Sequence, residues 1–447
     1  MPTPPSTLHV CNLANVAYGY CKILRESGDQ VRLLCHDIDH VMSQPEWDDQ
    51  DLGLDDFPDE NNFFDCRVPI NLTRPEWYSR TDISYYSKTH VKLLSRLLPR
   101  WLKEVIRPWY LKLAYRPFLP SEAPHSKDDS VETKEYSTTD ALKFRPYVNW
   151  FDRLSGDEDV VFAYVMAPVY TLLHHDRPYV AVEIGTMRDI PFEDSANGRM
   201  LRAAYRQADY VLITNPDVKK QADMLGLQRY SFCPHPVDEA RFIPTYLPEY
   251  RAELLGYFPE TELIGVAPAR QNWDLKGNEK YLDALRLLRC ERGLKVSVVI
   301  PTWGQDIARS KAYAAEIGIG DFVKWMPPVS EATLIKMYGS LDFVLDQFQL
   351  GVFGLITPKA LSCGAVVITS YDTDLHDWCF SEHPPVLAAN TPEQIAERIS
   401  SLYSANLRGE ISRSARDWFL RNHSKAVVRK VLLHAIDEST KNFKSAG

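Results

Sequence analysis

Two cations six residues apart, Arg270 and Lys276, stand in the segment 268–277, directly after an apolar run at 263–267. A guanidinium fork and an ammonium aimed at one diphosphate form charge-assisted hydrogen bonds worth roughly 1.5–3 kcal/mol each. A second segment, 346–357, follows another apolar run at 341–345 and carries Gly351 and Gly354 before a helix start at Thr357-Pro358. Thr357 reads as the N-cap and Pro358 as the first helical residue. A glycine loop feeding a helix start points backbone N–H groups at one spot, and the helix dipole adds partial positive charge there. Both segments follow strands of what reads as a parallel sheet, so both belong at strand carboxyl ends, where open α/β sheets bind ligands. Singly, each has an ordinary reading, a surface cation or a ligand-free strand-to-helix turn. Together they form a phosphate-binding constellation suited to stabilising a departing diphosphate, because charge grows on that group as its bond breaks.

The elements that must position these residues repeat along the chain. Strands are expected at 8–11, 30–35, 160–164, 179–183 and 210–214, with helices between them, and the alternation restarts at 263–267. This predicts an α/β protein of two doubly wound parallel sheets. The first domain spans 1–245, the second 246–410, and a terminal helix, read over 411–436, packs back from 411–447 onto the first. The first loop, with Asn12 and Asn15, lacks the Gly-x-Gly-x-x-Gly of a dinucleotide fold, which disfavours a nicotinamide or flavin dehydrogenase. The run His36-Asp37-Ile-Asp-His40 reads as a polar loop at a strand's carboxyl end rather than a metal cluster, and no metal site is expected. Glu183, Gly185, Thr186 and Arg188 directly follow a strand and should face the crevice. Glu183 has two readings there, a catalytic base and a buried loop acid.

Composition excludes several function classes. The net charge of −9 over 447 residues, without an arginine-rich segment, argues against nucleic-acid binding. The eight scattered cysteines fit reduced thiols of a cytoplasmic protein. The amino end is not a signal peptide, and no apolar run approaches the ~18 residues that span a bilayer. An insertion at 88–119 carries two proline-broken amphipathic stretches whose polar positions are basic, with Trp101, Trp109 and Tyr110 on the apolar side. It has two readings: a solvated cap on the first domain, or peripheral docking through 90–116 to the inner face of a membrane or a lipid-linked substrate. The acidic, apolar-poor stretch 120–140 is expected to be a mobile loop.

Arg270-x5-Lys276-Gly277, then 318–325, then Phe353-Gly354 with 360–368, resembles in order and spacing the retaining GT-B glycosyltransferases of family 4, the group 1 glycosyl transferases. The likeness covers about 264–404, with the segment 237–244 also similar. It implies two Rossmann-like domains facing across a cleft. A nucleotide-sugar donor, UDP- or GDP-linked, would lie on the second and a hydroxyl acceptor on the first. It further implies transfer with retention and no cofactor or required metal. Carried over, Arg270 and Lys276 hold the donor diphosphate, and the backbone at Phe353, Gly354, Leu355 and Ile356 cradles phosphate and sugar. Trp325, Pro327 and Val329 border the base. Gly351 and Lys359 stand where the family has two glutamates reaching sugar and ribose; lysine cannot accept from a ribose hydroxyl. Asp346, on the same loop, is a candidate substitute in sugar recognition. Asn12, Asn15, Asp37, Gly185, Thr186 and Arg188 form the acceptor side. The expectation is a glycosyltransferase of polysaccharide, glycolipid or natural-product glycosylation. A non-catalytic nucleotide-sugar binder and a GT-B epimerase or hydrolase are the alternatives.

Overall fold

The computed structural model describes residues 5–36, 41–49, 74–81, 83 and 136–446. Its central strands are short, largely apolar runs buried along their whole length, as strands covered on both faces must be. Seven make the first sheet: β1 (Thr7–Val10), β2 (Val31–Cys35), β3 (Tyr78–Arg80), β4 (Val160–Tyr164), β5 (Tyr179–Glu183), β6 (Tyr210–Ile213) and β7 (Tyr230–Phe232). Their order is β3-β2-β1-β4-β5-β6-β7, every pairing parallel. Alternation divides the core: Leu8, Val10, Val161 and Ala181 pack on one face, and Leu33, Phe162, Val180 and Val182 on the other.

Six strands form the second sheet: β8 (Leu263–Val266), β9 (Val296–Pro301), β10 (Val323–Met326), β11 (Phe343–Leu345), β12 (Val367–Thr369) and β13 (Leu387–Ala388). They run β10-β9-β8-β11-β12-β13, again all parallel. The strand order reverses between β1 and β4 in one sheet and between β8 and β11 in the other. The crevice at such a reversal is where open α/β sheets take ligands. In the second sheet it is bounded by the segments leaving β8 and β11, those that carry Arg270, Lys276 and Gly351–Ile356.

The chain returns to the first sheet at its end in two helices rather than the single one expected over 411–436. Ala405–Asn422 packs on the helix Ile356–Ser362, where the Arg416 guanidinium donates to the carbonyls of Phe242 at 2.8 Å and Ser362 at 2.6 Å. After a break at His423-Ser424, Lys425–Ala446 lays Val428, Leu432 and Ala435 into the core shared by β2 and β4. Part of the stretch expected to be a mobile loop is ordered: Ser137 caps the helix Thr138–Lys143 in a reciprocal bond with Asp140. The basic insertion 88–119 and residues 120–135 lie outside the described residues. Among those described, no helix is long and apolar enough to cross a membrane.

Candidate functional site

The segment after β8 is held by its neighbours rather than by regular structure. Gln271 N–H donates to the Trp303 carbonyl at 2.8 Å, and the Trp303 indole returns a bond to the Pro268 carbonyl at 2.9 Å. Asn272 caps the single turn Trp273–Lys276, accepting from Leu275 N–H at 2.9 Å. Gly277 ends that turn with φ of 62°, and a Cβ there would lie 3.3 Å from the Phe348 backbone. The closeness serves a purpose, because Phe348 N–H donates to the Lys276 carbonyl at 2.8 Å and joins this segment to the one after β11.

That second segment leads into the helix Ile356–Ser362, and the start differs from the sequence expectation. Thr357 is not the N-cap; it is the second helical residue, and Pro358 the third. Its hydroxyl donates to Asp346 at 2.8 Å, and its backbone N–H also bonds that carboxylate. Asp346 thus caps the helix from outside, so Thr357 need not. Proline is tolerated at the third position because the first-turn N–H groups have no helical partner anyway. Asp346 is buried, which pushes its carboxyl up, opposed by Lys276 and Thr357. Its carboxylate is engaged with the helix start, so in the sugar-recognition role expected from the sequence Asp346 would have to share its acceptor positions between Thr357 and the donor. Phe353 turns its ring into the core, stacked 5.0 Å from His376, so only its backbone can face the crevice. Gly351 has φ of 71°, and a Cβ on Gly354 would meet nothing within 4 Å.

The two cations occupy one neighbourhood. Lys276 Nζ donates to Gln347 at 2.8 Å. Burial pushes its pKa down, Asp346 opposes that, and Arg270 and Arg188 reinforce it. Arg270 is half-buried, and burial pushes its pKa down too. Among the described residues its guanidinium has no hydrogen-bond or ion-pair partner, and neither cation has a carboxylate within ion-pair distance. A cavity of about 640 Å³, its open mouth included, is lined by Pro268, Trp303, Val329, Leu355 and Ile356 of the second domain and by Met42 of the first; Arg270 and Lys276 are not in its lining. Trp325 and Pro327 do not line it. Lys359 does, ion-paired with Glu331 of the helix Glu331–Ser340. Arg241 stands 3.9 Å from Glu331 and donates to the Asp48 carbonyl. Burial, and Glu331 nearby, push the Asp48 carboxyl up to about 7.

The first domain's candidates are mostly engaged within their own loops. Asn12 donates to Asn15 at 2.8 Å and to the Ser43 carbonyl at 2.7 Å, and Asn15 donates to the Gln44 carbonyl at 2.6 Å. Thr186 bonds Tyr205 at 2.7 Å. Arg188 forms a two-pronged pair with Asp217 at 2.6 and 2.8 Å. Glu183 is buried, accepting from Gly185 N–H and from Asn215 at 3.1 Å, and burial raises its pKa. This is the loop-acid arrangement of its two readings; a base would have to exchange one of those bonds for substrate. Asp37 lies outside the described residues. Among those described, no cluster of three His, Cys, Asp or Glu could hold a metal ion.

Sequence reasoning missed Trp303, Glu331 and Asp217. Trp303 was within reach, because it follows β9 at the same carboxyl edge as Arg270. Glu331 was masked by Ser330, whose hydroxyl accepts from Thr333 N–H at 3.3 Å and makes the acid beside it look like ordinary first-turn charge.

No family model matches the chain. It is 28% identical over 182 residues to the D-inositol 3-phosphate glycosyltransferase of Segniliparus rotundus, covering 40% of this chain and 40% of that protein. With the protein of the same name from Jonesia denitrificans it shares 33% over 144 residues, 30% of this chain and 33% of the relative. The matches therefore span well under half the length of these curated relatives. Among solved structures, a glycosyltransferase from Rickettsia africae superposes with a TM-score of 0.60 at 12% identity, covering 98% of this chain and 99% of that one. Anabaena HepE in complex with UDP and glucose gives 0.60 at 12% identity, covering 97% and 99%. Two parallel sheets whose ligand crevices both lie at their carboxyl edges are the GT-B architecture. The chain has the GT-B fold and resembles the family 4-like, group 1 glycosyltransferases.

Proposed function

We propose that this protein is a glycosyltransferase that moves a sugar from a nucleoside diphosphate donor to a hydroxyl acceptor with retention of configuration. The observation that carries this reading is the pair Arg270 and Lys276, two partly buried cations at the crevice of the second sheet that, among the described residues, have no carboxylate within ion-pair distance. Burying a charge without an opposite charge is unfavourable, so such a pair is accounted for by an anion that binds there. Arg270 and Lys276 hold the diphosphate, aided by backbone N–H groups at Gly354, Leu355 and Ile356. As the glycosidic bond breaks, they stabilise the charge gathering on the leaving group. The acceptor hydroxyl enters from the first domain, on the face the diphosphate vacates. Anabaena HepE, of the same fold, was crystallised with UDP and with UDP-glucose, which favours a uridine donor here. Surface polysaccharide, glycolipid and natural-product glycosylation are the pathways that fit, with a lipid-linked acceptor if the basic insertion docks on a membrane.

The test is a thermal-shift screen against UDP, GDP, ADP and dTDP, followed by product analysis with UDP-sugars and an acceptor panel. A diphosphate at a hundredfold its Kd should add about 2.7 kcal/mol of stability. Failure of all four diphosphates to shift the melting temperature would overturn the proposal. Binding without product would turn it toward a non-catalytic nucleotide-sugar protein, and acceptor-independent product toward an epimerase or hydrolase.

A further inference from the structure

Trp378 belongs to the second domain, just past the helix Thr373–His376, yet its half-buried ring meets the first. It stands edge-on to Tyr230 and Phe232 of β7, at centroid distances of 6.0 and 5.8 Å. Any aromatic ring of similar size would make those contacts. The indole N–H adds another, donating to the Pro216 carbonyl at 3.1 Å. That carbonyl belongs to the planar peptide joining Pro216 to Asp217, so the bond fixes the plane from which the Asp217 side chain departs. Asp217 in turn accepts from Nε and Nη2 of Arg188 at 2.6 and 2.8 Å. A guanidinium has about five N–H groups, and those on Nη1 have no hydrogen-bond partner among the described residues. Nη1 lies beside Gly185, at the carboxyl end of β5. A Cβ added at Gly185 would stand 3.5 Å from Nη1 and, its chain neighbours aside, meet no other described atom within 4 Å. Donors held rigid beside open space at a strand's carboxyl end are placed for a ligand. Asp217 balances the charge of Arg188, so the pair offers direction rather than net attraction. Lys276 feels both of its charges, which sets the pair at the crevice, opposite the donor cations.

We infer that Trp378 is a positioning residue for the acceptor: through the Pro216 carbonyl and Asp217 it aims the free Nη1 edge of Arg188 at an acceptor oxygen. The acceptor side is then complete only with the second domain docked on the first. The inference rests on the glycosyltransferase reading and adds to it a second-domain residue on which acceptor affinity depends. The same segment touches the donor side, since Asp372 N–H donates to the Gly351 carbonyl at 2.8 Å. One short stretch, 372–378, thus joins the loop after β11 to the arginine that faces the acceptor.

The test compares the full chain as wild type, Trp378→Phe, Arg188→Met and the double variant, each first shown by thermal melting to be folded. Phenylalanine keeps the ring that packs on Tyr230 and Phe232 and removes the N–H. Should Arg188→Met fail to fold, Arg188→Lys takes its place, keeping the charge and losing the fork. Calorimetry with UDP reads the donor side, and initial rates with the acceptor that the panel identifies, at saturating donor, separate acceptor KM from kcat. Trp378→Phe should raise acceptor KM about tenfold and leave the UDP Kd within about twofold. Arg188→Met should raise acceptor KM at least as far, and adding Trp378→Phe to it should raise it no further, because both act through one guanidinium. An unchanged acceptor KM in Trp378→Phe would overturn the inference. So would a UDP affinity that falls in step with it, the mark of a merely structural contact, or losses that multiply in the double variant. Each of these outcomes leaves the glycosyltransferase reading standing. A wild type that transfers sugar to no acceptor would overturn both.

Discussion

Arg270→Ala separates a functional cation from a structural one. The guanidinium is half-buried, its pKa is pushed down by burial, and it has no hydrogen-bond or ion-pair partner among the described residues. In the free protein it contributes no ion pair, so its removal should leave stability unchanged within about 0.5 kcal/mol or raise it slightly. Against a diphosphate the same group forms charge-assisted hydrogen bonds of roughly 1.5–3 kcal/mol. At about 1.4 kcal/mol per tenfold, that is a loss of roughly ten- to more than a hundredfold. Because the leaving group carries more charge in the transition state than in the bound donor, the loss should fall on kcat more than on KM. The assay is initial rates with the donor found by the binding screen, paired with urea unfolding of the same preparations. Wild-type turnover in Arg270→Ala would refute the assignment. A midpoint shift equivalent to more than about 1 kcal/mol would refute it too, since the activity loss would then report unfolding.

Gly277→Ala tests whether the joint between the two crevice segments positions Lys276. At φ of 62°, with the Phe348 backbone 3.3 Å from the added Cβ, it should cost about 1–2 kcal/mol and weaken diphosphate binding without touching a ligand-contacting side chain; unchanged calorimetric affinity would sink that idea. Acid should loosen the place where the chain crosses between sheets. His235 and His423 meet there, and burial lowers their pKa values to about 4 and about 3. The unfolded chain takes these protons near pH 6.5, so the stability from keeping both rings neutral is complete above that pH. It is lost as pH falls from 6.5 toward 4, at up to about 1.4 kcal/mol per pH unit for each ring. Melting curves from pH 7.5 to 5 should show the decline, and His423→Phe should flatten it; an equal slope in that variant would reject the cause.

What was legible in the sequence was whatever local pattern alone determines. The runs Val160–Tyr164 and Tyr179–Glu183 are continuously apolar up to the last residue because both faces are covered, and they read as strands without help. The crevice segments followed from the rule that ligands sit at strand carboxyl ends, which needs only the strands. The misses have a common cause in partners supplied from far along the chain. Thr357-Pro358 looks like a cap and first residue, but the cap is Asp346, eleven positions back and reaching in from the preceding strand end. The helix expected over 411–436 breaks at His423 because that ring is seated among Phe380, Trp418 and Phe419, which no helical period reveals. Glu331 finds Lys359 twenty-eight positions away, and neither residue's neighbours announce the other.

The capping role of Asp346 also changes where the anion's stabilisation must come from. Of the first helical N–H groups, that of Thr357 is taken by Asp346, and Pro358 has none. The helix start therefore offers a ligand only the N–H groups at its outermost edge, and less of the dipole's field than an open terminus would give. Asp346 also offsets part of the charge of Lys276, while Arg188 is matched by Asp217. Among the described residues, Arg270 is left as the cation with no carboxylate paired to it. In the reading developed here, the two cations are then unequal. Lys276, held by Gln347 and moderated by Asp346, orients the diphosphate, and Arg270 supplies most of the electrostatic attraction. Replacing Lys276 by methionine should accordingly cost less in donor affinity than replacing Arg270 by alanine. The double variant should lose less than the two single losses combined, because both groups act on one anion. The reverse ranking would return the main electrostatic role to the lysine.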